Sequence, residues 1–119
     1  MSDFLGIHGT ALALREQRLQ VLASNLANAD TPGFQARDLD FGSALQAALA
    51  PAAGDGDALQ AAAAQATYAR PGAQPSMDGN TVDTQREQAT YAQAALEYRA
   101  SMAFVESKVR TMLTALTGQ

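Results

Sequence analysis

Few side chains of this sequence could take part in catalysis or metal binding, and their spacing does not indicate a common site. His8 is the only histidine among 119 residues, and the chain has no cysteine to join it in a metal site. An isolated imidazole can exchange a proton near neutral pH, but catalysis or metal binding needs partner groups. We therefore expect His8 to have a packing or solvent-exposed role.

Acidic residues offer two further candidates. Asp38 and Asp40 would point the same way along an extended segment, and paired carboxylates can do acid–base work. No nucleophile accompanies them, so a solvated surface or a pair with Arg37 is the simpler interpretation. Gly54-Asp55-Gly56-Asp57 has the look of a calcium loop but lacks its later ligands and closing glutamate. We predict no catalytic residue, no metal site and no cofactor, and we do not expect an enzyme.

Composition and charge disfavour several other classes of function. The chain has 8 basic and 12 acidic residues, a net charge of −4, and no basic cluster. Binding of nucleic acid or of an anionic lipid surface is therefore not expected. No apolar run approaches the ~18 residues that span a bilayer. The first five residues contain no basic group before an apolar run, so they do not resemble a secretory signal.

The elements that would position these residues follow from hydrophobic spacing. Leu12, Leu19 and Leu26 recur every seven residues, Leu22 lies between the last two, and polar residues occupy the opposite side. This pattern predicts an amphipathic helix over residues 10–30, about 20 residues or roughly 30 Å long. The pattern leaves the secondary structure of residues 1–9 undecided, because their two glycines weaken a helix.

A sharply specified turn follows this helix. Pro32-Gly33 suits a type II turn, because proline presets φ at the second position and glycine supplies a positive φ at the third. The residue before proline is pushed out of helical geometry, so the helix should end at or before Asp30. Two asparagine amides on one helical face could tie the departing loop back to the helix. The residues assigned to the turn are Asn25, Asn28, Thr31, Pro32, Gly33 and Phe34.

The longest regular pattern is C-terminal. Apolar residues alternate at spacings of four and three from Tyr91 to Leu116, which is a coiled-coil seam sustained over three heptads. The predicted helix covers residues 83–117, about 35 residues or roughly 50 Å. Thr84 and Glu87 match a capping box at its start.

Three large apolar residues of this helix lie off the seam, namely Leu96, Phe104 and Leu113. A two-helix hairpin needs only one apolar stripe, so a second one indicates a second partner. From periodicity alone, the alternative stays open that a hairpin simply buries the seam within one chain.

The middle of the chain is low in complexity. The alanine run at 61–64 favours a short helix, whereas the glycines and prolines around it favour a loop. Asp78-Gly79-Asn80 indicates a hairpin-type turn. The predicted organisation is a helical rod core of residues 1–30 with 84–119, a turn and extended segment at 31–42, and a variable Ala-rich loop region at 43–83 with a short hairpin near 78–83.

These motifs carry a resemblance to a known family. Ala23-Ser24-Asn25-Leu26-Ala27-Asn28 followed by Thr31-Pro32-Gly33-Phe34 resembles the N-terminal signature of bacterial flagellar rod, hook and hook-associated proteins. The continuation at 35–41, the runs at 78–83 and 95–101, and the short chain resemble the basal-body rod members most, those of the proximal rod. The resemblance covers residues 10–42 and 77–117.

The resemblance implies a mainly α subunit, with long N- and C-terminal helices packed side by side in a coiled-coil-like bundle and a small irregular or β-containing middle. It implies a structural protein of the flagellar basal-body rod that self-assembles into the torque-transmitting drive shaft. The implied partners are itself, other proximal rod proteins, the ring–rod adaptor and the membrane ring protein of the flagellar base. The implied location is the periplasmic rod, reached through flagellar type III export without a cleaved signal peptide.

The subunit interface is assigned to apolar residues of both terminal helices: Leu19, Leu22, Leu26, Tyr98, Met102, Val105, Val109 and Met112. The alternative function is a soluble helical-hairpin binding module or chaperone in the cytoplasm. An amphipathic helix lying on a lipid surface is disfavoured, because the polar faces are not basic.

Overall fold

The computed structural model describes residues 2–50, 57–70 and 76–118. Within them the elements are, in chain order, α1 Ser2–Ala27, β1 Arg37–Leu39, α2 Phe41–Ala48, α3 Asp57–Ala66, β2 Thr67–Ala69 and α4 Thr84–Thr117. The two long helices pack together and the short elements lie between them in sequence. The predicted mainly α architecture, with a small β-containing middle, is confirmed.

Helices α1 and α4 run antiparallel. Near one end Asn25 contacts Glu87, and toward the other end the ring of His8 packs against that of Phe104. This register leaves the last turns of α4 beyond the start of α1, because α4 has 34 residues and α1 has 26. At 1.5 Å per residue the overhang is about 10 Å. The molecule is elongated, with extents of 63 × 31 × 19 Å.

Both long helices start differently from the sequence-based expectation. α1 begins at Ser2 and runs through Gly6 and Gly9, since packing against α4 offsets the ~1 kcal/mol that each glycine costs a helix. The predicted capping box of α4 is wrong. The N-cap is Asp83, whose carboxylate accepts from the backbone N–H of Arg86, and the side chain of Glu87 is buried elsewhere.

The middle of the chain is more regular than the predicted loop region at 43–83. It contains α2, α3 and β2, and β1 pairs with β2 in antiparallel register, with Asp38 opposite Tyr68. The Asp78–Gly79 turn is present, but none of the described residues 76–83 lies in a strand. The backbone of residues 78 and 81 bonds instead to residues 33 and 34, which leaves no hairpin ladder at 78–83.

The hydrophobic core is small and rich in alanine. Its main cluster joins α1, β1, α2 and α3 through Leu14, Leu39, Ala44 and Ala63. Because alanine buries little apolar area, this cluster contributes less stabilisation than leucines would. The candidate site therefore owes much of its geometry to polar contacts.

Candidate functional site

The turn after α1 has the geometry of a type II turn. The backbone N–H of Phe34 donates to the carbonyl of Thr31 at 3.3 Å, and Gly33 has φ +75°. Asn28 supports the turn from the helix: its Nδ2 donates to the carbonyl of Ser24 at 2.8 Å, and its Oδ1 accepts from Thr31 Oγ1 at 3.0 Å. Pro32 is exposed. A local hydrogen-bond set thus fixes the direction in which the chain leaves α1.

Asn25 ties the chain that follows the turn back to α1. Its Oδ1 accepts from the backbone N–H of Arg37 at 3.0 Å, and its Nδ2 donates to the carbonyl of Arg37 at 2.7 Å. The same Nδ2 donates to Oε2 of Glu87 at 3.1 Å, and the Asn25 side chain is fully buried. One amide therefore joins α1, β1 and α4, which uses both its donor and its acceptor capacity.

A second turn at residues 76–82 packs against the first. The backbone N–H of Gly33 donates to the carbonyl of Asp78 at 2.8 Å, and that of Thr81 donates to the carbonyl of Phe34 at 2.9 Å. Gly79 also has a positive φ, +81°, and a Cβ there would meet the Cα of Gly33 at 3.5 Å. The two glycine turns thus meet backbone to backbone.

Asn80, within this second turn, binds the segment that follows α1. Its Nδ2 lies within 2.9 Å of the carbonyl oxygens of Asn28, Ala29 and Thr31, and its Oδ1 accepts from the backbone N–H of Val82 at 2.7 Å. These three carbonyls lie just after α1, which ends at Ala27, so one amide holds the segment that joins the helix to the first turn. The sequence marked Asn80 only as a turn residue, because its partners lie some 50 residues away.

An ionic network adjoins Asn25. Glu87, which is fully buried, accepts from Arg70, and Arg70 Nη2 also lies 3.5 Å from Oδ2 of Asp38. Asp38 in turn accepts from Nε of Arg18 at 3.0 Å. These charges connect α1, β1, the residue after β2, and α4. A buried ion pair costs desolvation unless its remaining bonds are satisfied, and here Asn25 and the backbone supply them.

The network shifts two pKa values. Burial opposes ionisation of Asp38, but its hydrogen bonds from Arg18 and from the backbone N–H of Leu39, with the charge of Arg70, outweigh burial and hold its pKa below the ordinary value. The hydrogen bond to Asp38 raises the pKa of Arg18, against the opposing effect of burial. Both groups are therefore charged at neutral pH.

Sequence reasoning placed Asp38 wrongly, whereas Asp40 lies on the surface as expected. Asp38 is buried and pairs with Arg18 and Arg70 instead of lying solvated or pairing with Arg37. Asp40 is exposed and caps α2, its Oδ1 accepting from the backbone N–H of Ser43 at 3.3 Å. No local signal marks Arg70 as a partner of Glu87, because it follows a low-complexity segment.

A second feature is an apolar stripe on the far half of α4. Met102, Val109, Leu113 and Leu116 are spaced by seven, four and three residues, which places them along one side of a helix. Their exposed fractions are 36%, 39%, 56% and 80%. We call these four residues the α4 stripe. Helix α1 packs against the first half of α4 but does not cover this stripe.

The other residues assigned to the interface are less accessible. Leu22 is fully buried within the single chain, so it is not part of the exposed apolar surface. The remaining five are half-buried, at the margins of the α1–α4 contact: Leu19, Leu26, Tyr98, Val105 and Met112. The exposed apolar surface therefore lies mainly on α4.

The part of the chain that the structure describes holds no group of three or more His, Asp or Glu residues placed to bind a metal ion. It also contains no helix long and apolar enough to cross a membrane.

Comparison with known proteins gives consistent matches. A family model described as "Flagella basal body rod protein" matches residues 5–35, which are most of α1 and the turn. The flagellar basal body rod protein FlgB of Aeromonas hydrophila is 45% identical, over 96% of this chain and 92% of the relative. The proteins of the same name from Cereibacter sphaeroides and Escherichia coli are 41% and 39% identical, over 98% and 89% of this chain and 96% and 87% of those proteins.

Proposed function

This chain belongs to the flagellar basal body rod protein family, and from that premise we propose that it joins its neighbours in the rod through the α4 stripe. It is a structural subunit of the flagellar rod and not an enzyme. Its proposed place is the proximal rod, where packed terminal helices form a stiff shaft that transmits torque. Supporting this are the full-length relatives named FlgB.

The observation that carries the proposal is the exposure of the α4 stripe. Full burial of a Val, Leu or Met side chain is worth roughly 1.5–3 kcal/mol. Scaled by the exposed fractions of the stripe, its complete burial would contribute roughly 3–6 kcal/mol. Association of two proteins costs an estimated 4–15 kcal/mol in lost freedom. One such contact is therefore weak by itself, and stable assembly requires each subunit to contact several neighbours at once, as in a tube.

The finer partners and the route follow the family resemblance. We propose contacts with other copies, with other proximal rod proteins, with the ring–rod adaptor and with the membrane ring protein. We propose a periplasmic position in the basal body, reached by flagellar type III export. Cross-linking within purified basal bodies tests the partners, and secretion by cells with and without the flagellar type III export apparatus tests the route.

Two substitutions test the stripe directly. Met102→Asp and Leu113→Asp each put a carboxylate into a surface that becomes buried on assembly, where an unpaired charge is costly. Both variants should be exported yet give few rods and little swimming. Ala103→Asp is the matched control, because it adds the same charge at an exposed residue beside Met102 on another side of the helix. Normal rod yield with Leu113→Asp would overturn the proposal.

A further inference from the structure

The helix pair has a groove on the flank opposite the α4 stripe. It encloses about 490 Å³ between α1, α2 and α4. Its apolar lining includes Ile7, Ala11, Phe41, Leu45, Phe104 and Val105. Ile7 and Phe104 at its edge are 43% and 42% exposed. Each subunit thus presents an exposed apolar stripe and a groove lined with apolar side chains.

The two features lie on different sides of the same helix. Met102, in the stripe, and Phe104, in the groove, are two residues apart, which separates them by about 160° around a helix of 3.6 residues per turn. A pair of unlike surfaces on one subunit allows head-to-tail contact, in which each copy offers its stripe to the next copy's groove. Such contacts repeat around a ring or along a helical assembly, whereas a two-fold dimer uses one patch twice.

The charges beside the two surfaces are complementary. Arg15 and Glu97 both line the groove, and Nη1 of Arg15 donates to Oε2 of Glu97 at 2.8 Å, so their charges are paired within the subunit. Lys108 Nζ lies 5.4 Å from the ring centre of Phe104 at the groove's edge. On the stripe side, Glu106 is exposed, four residues after Met102 and three before Val109, so its carboxylate borders the stripe. The anion beside the stripe thus matches the cation of Lys108 beside the groove.

We propose that the α4 stripe of one subunit packs into the groove of a second copy of this chain, with Glu106 directed at Lys108 of that copy. The proposal rests on the proposed function, because it names the surface that receives the stripe. It explains why Ile7 and Phe104 stay exposed in a single copy.

Paired cysteines test this contact, since the chain has no cysteine of its own. Two differently tagged copies are expressed together, one carrying Val109→Cys and the other Ile7→Cys. Both positions are partly exposed, so neither change disturbs a buried group. Basal bodies are purified and mildly oxidised. A disulfide between the two tags can form only between two copies. The control pair is Val109→Cys with Gln46→Cys, an exposed residue of α2 next to the groove residue Leu45.

We expect the 109–7 pair to give a cross-linked species carrying both tags, at a yield several-fold above the 109–46 control. In normally assembled rods, an absent 109–7 species, a yield equal to the control, or a dominant 109–109 disulfide would each overturn the groove assignment. Those results would leave the proposed function intact, because it fails only if Leu113→Asp rods assemble normally.

Discussion

Asn25→Asp is the sharpest test of the network that positions the two helices. The substitution keeps the size of the side chain and the oxygen that accepts from the N–H of Arg37. It replaces the Nδ2 donor by an oxygen, which then faces the carbonyl of Arg37 at 2.7 Å and the carboxylate of Glu87 at 3.1 Å. The variant therefore exchanges two attractive contacts for two repulsive ones at a fully buried position.

The loss of stability depends on which of two states costs less free energy: both carboxylates charged, or the new Asp protonated. Two carboxylates ~3 Å apart repel by about 5 kcal/mol at an effective dielectric constant of ~20. Keeping the new Asp protonated at pH 7 costs about 4 kcal/mol, because pH 7 is ~3 units above the ordinary pKa of Asp. Protonation is the cheaper response, so we expect the free energy of unfolding to fall by about 4 kcal/mol at pH 7.

This mechanism also fixes the pH dependence. A carboxyl whose folded-state pKa is raised destabilises the protein only above its unfolded-state pKa. The penalty for Asn25→Asp should therefore shrink from about 4 kcal/mol at pH 7 to about 1.5 kcal/mol at pH 5. Urea unfolding followed by circular dichroism at both pH values measures it.

Asn28→Asp is the matched control, since it makes the same change three residues later. It loses the hydrogen bond to the Ser24 carbonyl and adds a negative charge near a helix C-terminus, which should cost about 1–2 kcal/mol. The reasoning is refuted if both variants lose similar stability at pH 7. It is equally refuted if the Asn25→Asp penalty does not shrink at pH 5.

Three further predictions concern stability, each measured by urea unfolding. Arg18 holds the pKa of Asp38 low. The ionised Asp38 therefore stabilises the fold above its unfolded-state pKa of about 3.9, and this stabilisation is lost as pH falls through the folded-state pKa. D38N should lower the free energy of unfolding at neutral pH and weaken its dependence on pH below about pH 4. Gly33→Ala should cost about 1–2 kcal/mol because φ is +75° there, whereas Gly9→Ala within α1, where a Cβ meets nothing within 4 Å, should stabilise by about 0.5–1 kcal/mol; equal effects would contradict this. Leu22→Ala should cost about 2–5 kcal/mol as a fully buried residue, and Leu116→Ala, which is 80% exposed, should stay within about 0.5 kcal/mol of the parent chain.

The parts of this fold that sequence reasoning predicted are those specified by neighbouring residues. The two long helices follow from apolar spacing that repeats along each segment. The end of α1 and the positive φ of Gly33 follow from Thr31-Pro32-Gly33, because proline restricts the residue before it and a type II turn needs a positive φ at the residue after it. Such signals act within a few positions, so one sequence suffices to read them.

The parts that escaped prediction depend on distant partners. Glu87 meets Asn25 across 62 residues and Arg70 across 17, and Arg70 meets Asp38 across 32. Thr84 and Glu87 also fit the local capping-box pattern. The sequence therefore favoured a local role for Glu87, because it gives no sign of the distant partners. The extended segment at 31–42 was predicted and contains β1, but β2 and its pairing with β1 escaped for the same reason, because three residues of β2 carry too little local signal.

The same heptad pattern runs along all of α4, but the two halves of the helix make different contacts. The first half carries Glu87, whose buried charge is satisfied only in one arrangement of α1, α4 and the middle segment, so it fixes the register of the helix pair. The second half carries the α4 stripe, which one partner helix cannot cover because α1 occupies a single side of α4. Apolar packing tolerates many registers, whereas a buried ionic network tolerates few. The polar end therefore determines where the apolar end is presented, and a fault at Asn25 should misplace the α4 stripe without touching it.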